Sequence, residues 1–191
     1  MKIPLSKPDI TNDDRKEVLG VLETPYLSLG PKLKEFEEKI AEYAGVKFVV
    51  GVSSGTAGLH LIIRALGIKD GDEVITTPFS FISSSNCIIY EGAKPVFADI
   101  NGDTLNINPE LVEGLITPRT KAILAVDVFG HPADWDALVE IAKKHNLFLI
   151  EDSAEALGSE YKLQIQIQNS PKEKLRILSE QTKFIWRKCG S

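Results

Sequence analysis

The sequence predicts an α/β fold, a mostly parallel sheet with helices on both faces. Three observations predict it. From Lys47 onward, apolar runs of strand length alternate with stretches of helical spacing. The strand candidates are near-continuous apolar runs, as expected of strands covered on both sides. The links between them are short and carry Gly, Pro, Asn and Asp, the residues of turns and helix ends.

Taken in order, residues 13–23 ("DDRKEVLGVLE") have helical spacing, and a loop with Pro25, Gly30 and Pro31 follows. "KEFEEKIAEYAG" is an amphipathic helix stopped at Gly45. "KFVVGVS" is expected as a buried strand, and "TAGLHLIIRALG" as a helix ending at Gly67. "DEVITTP" is a strand, "FISSSNCIIYEG" a helix and "KPVFADI" a strand. "NPELVEGLI" is a helix opened by Asn108 and Pro109. "KAILAVDVFG", "DWDALVEIAKKHN" and "LFLIED" complete the series as strand, helix and strand. In such sheets ligands bind beyond the carboxyl ends of the strands. Here those ends carry "SSGTAG", "TTPFSF", "DVFGHP" and "EDSAE".

Charge is unevenly distributed. The chain carries a net −5, while residues 162–191 hold seven Lys/Arg against two Asp/Glu. The remainder is therefore strongly acidic, with no basic stripe, which argues against nucleic acid as a partner. No apolar run has the length of a membrane span, and the N-terminus "MKIPLSKPDI" lacks the apolar core of a secretory signal. Cys87 and Cys189 form no disulfide framework, and a cytoplasmic location is expected.

Four constellations carry potential chemistry. "SSGTAGLH" (Ser53–His60) joins a strand to a helix, and its small residues leave backbone amides free to face an anion such as a phosphate. It has neither the Gly-Lys-Ser/Thr of a nucleotide-binding loop nor the GxGxxG of a dinucleotide site. Phe81 in "TTPFSF" either stacks on a flat heterocycle or packs under its loop. Glu151 and Asp152 end an apolar strand, where a carboxylate needs a partner such as a protonated ring nitrogen, a backbone amide or an Arg. A metal is disfavoured because His60, His131 and His145 show no ligand spacing. Ser53, Ser54 and the run Ser83–Ser85 have no His/Asp companions, and are expected as caps and turn residues.

In this order the segments "IPLSKPDI", "LSLGPKLKEFEEKIAEYAG", "GVSSGTAGLHLIIRALGIKDGDEVITTPFSFISSSN", "PVFADI", "VDVFGHPADWDAL" and "LIEDSAEALGSEYK" resemble the DegT/DnrJ/EryC1/StrS family of aminotransferases. These are pyridoxal 5'-phosphate (PLP) enzymes of fold type I acting on nucleotide-linked keto-sugars. The resemblance implies that residues 1–161 are an incomplete PLP-binding large domain. It implies that Gly55, Thr56 and Ala57 hold the cofactor phosphate and that Phe81 stacks on the pyridine ring. Asp152 would pair with the ring nitrogen, and Glu155 would lie near the phenolic oxygen. Tyr26, Leu27 and Ser28 would line the sugar site. Glutamate is the implied amino donor, and relatives are implied to be homodimers.

The family's Schiff-base lysine lies after the "ED" strand in a segment resembling "FYPNKQ", followed by "GEGG". Neither is present, and Lys162, Lys172, Lys174, Lys183 and Lys188 lie in no such motif. No glutamine occurs before Gln164, and then Gln164, Gln166, Gln168 and Gln181 follow closely. Residues 162–191 are thus expected to be an aberrant basic tail in a shifted reading frame. One choice of codons for Leu178–Lys183, TTA TCC GAA CAA ACA AAA, started one nucleotide later, spells Tyr-Pro-Asn-Lys-Gln; the alternative is a genuine, diverged tail. "LQIQIQ" in that tail has the alternation of a strand. The expectation is a sugar aminotransferase lineage in which this chain alone is inactive. Alternatives are a non-catalytic module binding PLP or a nucleotide-sugar, a phosphate-binding α/β domain unrelated to PLP, and a dehydratase-type member of the family.

Overall fold

The computed structural model describes residues 7–162 and the backbone of Trp186–Lys188. The chain forms two compact units, one from residues up to 43 with 47–51, the other from 44–46 with residues from 52 onward.

The first unit holds two helices, α1 (Asn12–Leu22) and α2 (Pro31–Ala44). Thr11 and Asp14 cap α1 reciprocally, each side chain accepting from the other's backbone N–H. Lys32 on α2 reaches Glu17 on α1 at 2.6 Å and Glu35 at 2.9 Å. Lys32 and Lys39 together hold the Glu35 carboxyl down at about 2. Gly45 ends α2 with φ +72°, a left-handed conformation glycine adopts without strain. The expected strand at 47–53 is not formed. Phe48 and Val50 are 79% and 74% exposed, and no described strand pairs with this stretch, whose Gly51 N–H is taken instead by the Glu37 side chain at 2.7 Å. An apolar run becomes a buried strand only where a neighbouring ladder accepts its backbone groups, and here none does.

The second unit contains a four-stranded sheet. Its elements are α3 (Gly55–Ala65), β1 (Glu73–Thr76), α4 (Ser83–Ile89), β2 (Lys94–Phe97), α5 (Pro109–Val112), β3 (Thr120–Val126), α6 (Trp135–His145) and β4 (Phe148–Asp152). A 3₁₀ turn at Glu113–Leu115 extends α5, and another at Val128–Gly130 follows β3. The strand order is β2-β1-β3-β4 and every pairing is parallel, as the sequence predicts. A separate antiparallel pair joins β5 (Glu160–Lys162) to β6 (Trp186–Lys188). The "LQIQIQ" segment and most of the tail read as frameshifted lie outside the described residues.

Helices cover both faces of the sheet. Alternate β3 residues part to the two sides. Ala122, Leu124 and Val126 pack with Leu59 and Ile63 of α3 and Cys87 and Ile88 of α4. Ile123 and Ala125 pack with Val112 of α5 and Trp135, Leu138 and Ala142 of α6. Side-chain caps start the helices: Ser54 for α3, Asn108 for α5 and Asp134 for α6. Buried Glu73, opening β1, is held by Thr117 and by a two-nitrogen grip from Arg119 at 2.7 and 3.2 Å. This network lies at the amino end of the sheet, opposite the candidate site.

Candidate functional site

The chain order fixes where a ligand can enter. β1 connects through α4 to β2 on one side, and β2 then crosses back through α5 to β3 on the other. The strand order therefore reverses between β1 and β3, and their carboxyl ends diverge to leave a crevice. The loops after these two strands meet there: Phe79 and Phe129 lie edge to face with centroids 6.1 Å apart.

α3 points its amino end at this crevice. Its carboxyl end turns through Gly67 into β1, and Leu59 and Ile63 lay it against the sheet, so it runs antiparallel to the strands. Ser54 Oγ accepts from Ala57 N–H at 3.1 Å. The amides of Gly55 and Thr56 have no acceptor within the helix, and a Cβ at Gly55 would meet nothing within 4 Å. Two amides at the positive end of the dipole are thus left without an intrahelical acceptor. Of the three residues expected at a phosphate, Ala57 has its amide engaged by the cap.

Phe81 precedes α4 and is 76% exposed, so it does not pack beneath its loop, and its ring offers a free face.

Asp152 ends β4 on the α3/α4 side of the sheet and is 8% exposed. Its Oδ2 accepts from Ser84 Oγ at 3.0 Å and its Oδ1 from Ala154 N–H at 3.2 Å. No Lys or Arg among the described residues pairs with it. A buried carboxylate with only neutral donors has capacity for a cationic one. Ser84 corrects the expectation that Ser83–Ser85 serve as caps and turn residues. Ser85 bonds only locally, its hydroxyl donating to Ile82 O at 3.1 Å within the first turn of α4, but Ser84 reaches across 68 residues of sequence to the carboxylate. Sequence reasoning missed it because the pairing exists only once α4 is laid on β4.

Glu155 Oε2 accepts from Phe129 N–H at 2.8 Å. Phe129 is left-handed, with φ 53°, and Ser159 Oγ donates to Gly130 O at 2.7 Å. The segment after β4 thereby holds the turn after β3. Tyr26, Leu27 and Ser28 lie exposed in the first unit, after α1. A groove of about 870 Å³ opens on the α5/α6 face, lined by Asn101, Thr104, His131, Asp134, Asp136 and Tyr161 among others. It lies on the opposite face from Asp152 and Ser84.

Comparison with known proteins bears on the family and the fold. A sequence profile of the DegT/DnrJ/EryC1/StrS aminotransferase family matches residues 8–166. GDP-perosamine synthase of Escherichia coli O157:H7 is 44% identical over 161 residues, covering 84% of this chain and 44% of that protein. The solved structure of Helicobacter pylori PseC, an aminotransferase involved in the biosynthesis of pseudoaminic acid, superposes with a TM-score of 0.81 at 37% identity. That match covers 84% of this chain and 44% of PseC. NtdA from Bacillus subtilis with bound cofactor PMP superposes with a TM-score of 0.75 at 37% identity, over 78% of this chain and 35% of NtdA. The chain spans about two fifths of the length of the curated relatives it matches.

Proposed function

The chain belongs to the DegT/DnrJ/EryC1/StrS aminotransferase family, and on that footing we propose that it carries the cofactor pocket of a PLP-dependent aminotransferase acting on a nucleotide-linked keto-sugar. The observation that carries the reading is Asp152. It is a buried carboxylate at the carboxyl end of the sheet, supplied with neutral donors and no cation. The residues present fit PLP. The ring nitrogen, when protonated, is the cation Asp152 can accept, and the phosphate matches the free amides at the start of α3.

When bound, the cofactor supplies a ring that stores an electron pair while an amino group changes partners. Each residue of this chain has a limited task. Gly55 and Thr56 would donate amide hydrogens to the phosphate, with the Thr56 hydroxyl as a further donor. Ala57 would contribute through the dipole of the same turn, its amide being held by Ser54. Phe81 would cover one ring face and exclude water. Asp152 would hold the proton on the ring nitrogen. Glu155 holds the turn at Phe129, and in this reading one of its oxygens also faces the phenolic side of the ring. Tyr26, Leu27 and Ser28 are assigned to the sugar. Glutamate is the proposed amino donor, a homodimer the proposed assembly and the cytoplasm the proposed location. Residues 1–161 are proposed as the large-domain part, with the tail from 162 read in a shifted frame.

The test is equilibrium dialysis of the full chain against PLP, with Asp152→Asn alongside. The wild-type chain should bind, without fixation by borohydride, since no lysine stands in the family's motif. Asp152→Asn should weaken binding by about tenfold or more, the scale of a charge-assisted hydrogen bond lost at a buried site. A wild-type chain that does not bind PLP refutes the reading.

A further inference from the structure

We propose that Ser84 is a positioning residue that orients the Asp152 carboxylate toward its cationic partner through a directed chain of hydroxyls, Ser80 to Ser84 to Asp152. The proposal deepens the reading of Asp152 given above and rests on it.

The direction of the chain follows from chemistry. A carboxylate only accepts, so across the 3.0 Å contact Ser84 Oγ is the donor and Asp152 Oδ2 the acceptor. A hydroxyl has one hydrogen, so Ser84 has none left for Ser80. In their 2.8 Å contact Ser80 is therefore the donor and Ser84 the acceptor. Each donation polarises the next. Ser80 is exposed while Ser84 is 1% exposed, so the chain runs from solvent to the buried carboxylate.

The geometry also fixes rotation. Asp152 has one oxygen tied to Ala154 N–H, one residue beyond its own neighbour, and the other tied to Ser84 on a different element. A carboxylate gripped from two directions cannot turn about its terminal torsion, which is otherwise broad. Ser84 is well placed for this because its own backbone is fixed: its N–H donates to Phe81 O at 3.2 Å and its carbonyl accepts from the Cys87 thiol at 3.5 Å. The residue assigned to the ring face and the residue orienting the ring-nitrogen partner thus belong to one short turn.

The test compares two ligands on the full chain, PLP and its analogue with carbon in place of the ring nitrogen, using wild type, Ser84→Ala, Ser84→Thr and Ser80→Ala. Wild type should prefer PLP. Ser84→Ala should weaken PLP binding by about tenfold, as expected for losing a hydrogen bond to a charged group, and leave the analogue unaffected. Ser84→Thr keeps the hydroxyl and should restore the preference. Ser80→Ala changes an exposed position and should reduce the preference by about twofold through the weakened polarisation; it carries the test if Ser84→Ala does not fold. Equal losses for both ligands would make Ser84 merely structural and overturn the proposal. So would an undiminished preference in Ser84→Ala or, where that variant does not fold, in Ser80→Ala. A wild-type chain binding both ligands equally removes the Asp152 assignment itself, and this proposal with it. A preference lost in Asp152→Asn but kept in Ser84→Ala removes only the role of Ser84.

Discussion

Cys87 should report the charge of Asp152 through the pH dependence of stability. The thiol is fully buried. Burial, and secondarily the negative charge of Asp152, pushes it from 9.0 up to about 11. In the unfolded chain the thiol ionises near its ordinary value, while the native chain retains the proton. Its contribution is therefore fully present below 9.0, declines as pH rises, and is gone above about 11. At about 1.4 kcal/mol per pH unit the loss is about 3 kcal/mol. Cys87→Ala adds a cavity cost that does not vary with pH, so the slope and not the offset carries the signal. The assay is urea unfolding from about pH 8 to about pH 11 in a Cys189→Ser background. Wild type should lose about 2 kcal/mol more than Cys87→Ala across that window, which ends where the native thiol is half-ionised. Adding Asp152→Asn should shrink the difference, because the second cause is removed. Parallel stability profiles for the Cys87 pair would refute the argument.

Two further outcomes test the frame around the site. Ile63→Ala empties a fully buried position between α3 and the sheet and should cost about 2–5 kcal/mol, measured by the urea midpoint; a change within error would mean that α3 is not seated as described. Asn146 closes α6 in the left-handed conformation, with φ 54°, so Asn146→Ala should cost about 1 kcal/mol while Asn146→Gly stays near neutral. Equal stability of the two variants would contradict the assigned cap.

Much of the frame was legible from local signals. Gly45 and Gly67 stop their helices with positive φ, and Asn108 caps α5 with its side chain, because these effects act within one turn of chain. The parallel sheet was legible because apolar runs and helical stretches alternate. The strand expected at 47–53 failed for the opposite reason: apolar residues show that a segment can be buried, and say nothing of whether a neighbouring strand is there to pair with it. The same limit hid Ser84. A serine at a helix start has the pattern of a cap, and its sequence neighbours do not separate it from Ser85, whose hydroxyl bonds only to Ile82 O three residues back. Asp152 was found because a carboxylate closing an apolar strand is anomalous by itself, whereas a buried serine is ordinary until its acceptor is known. Phe81 left two readings open in sequence; its exposure removes the one packed beneath the loop, and stacking on a ring belongs to the proposal.

The register of β4 gives the site a parity. Val126 stands beside Asp152 and Ala125 beside Glu151, and successive side chains on a strand face opposite sides of the sheet. Two acidic residues are adjacent in sequence, yet only one lies on the side of Ser84 and α3. Slipping β4 by one position against β3, in either direction, would turn Asp152 to the other side of the sheet, toward α5 and α6. The lineage can therefore vary side chains around this pocket gradually, but a single-residue insertion or deletion within β4 is a discrete error that no neighbouring substitution repairs.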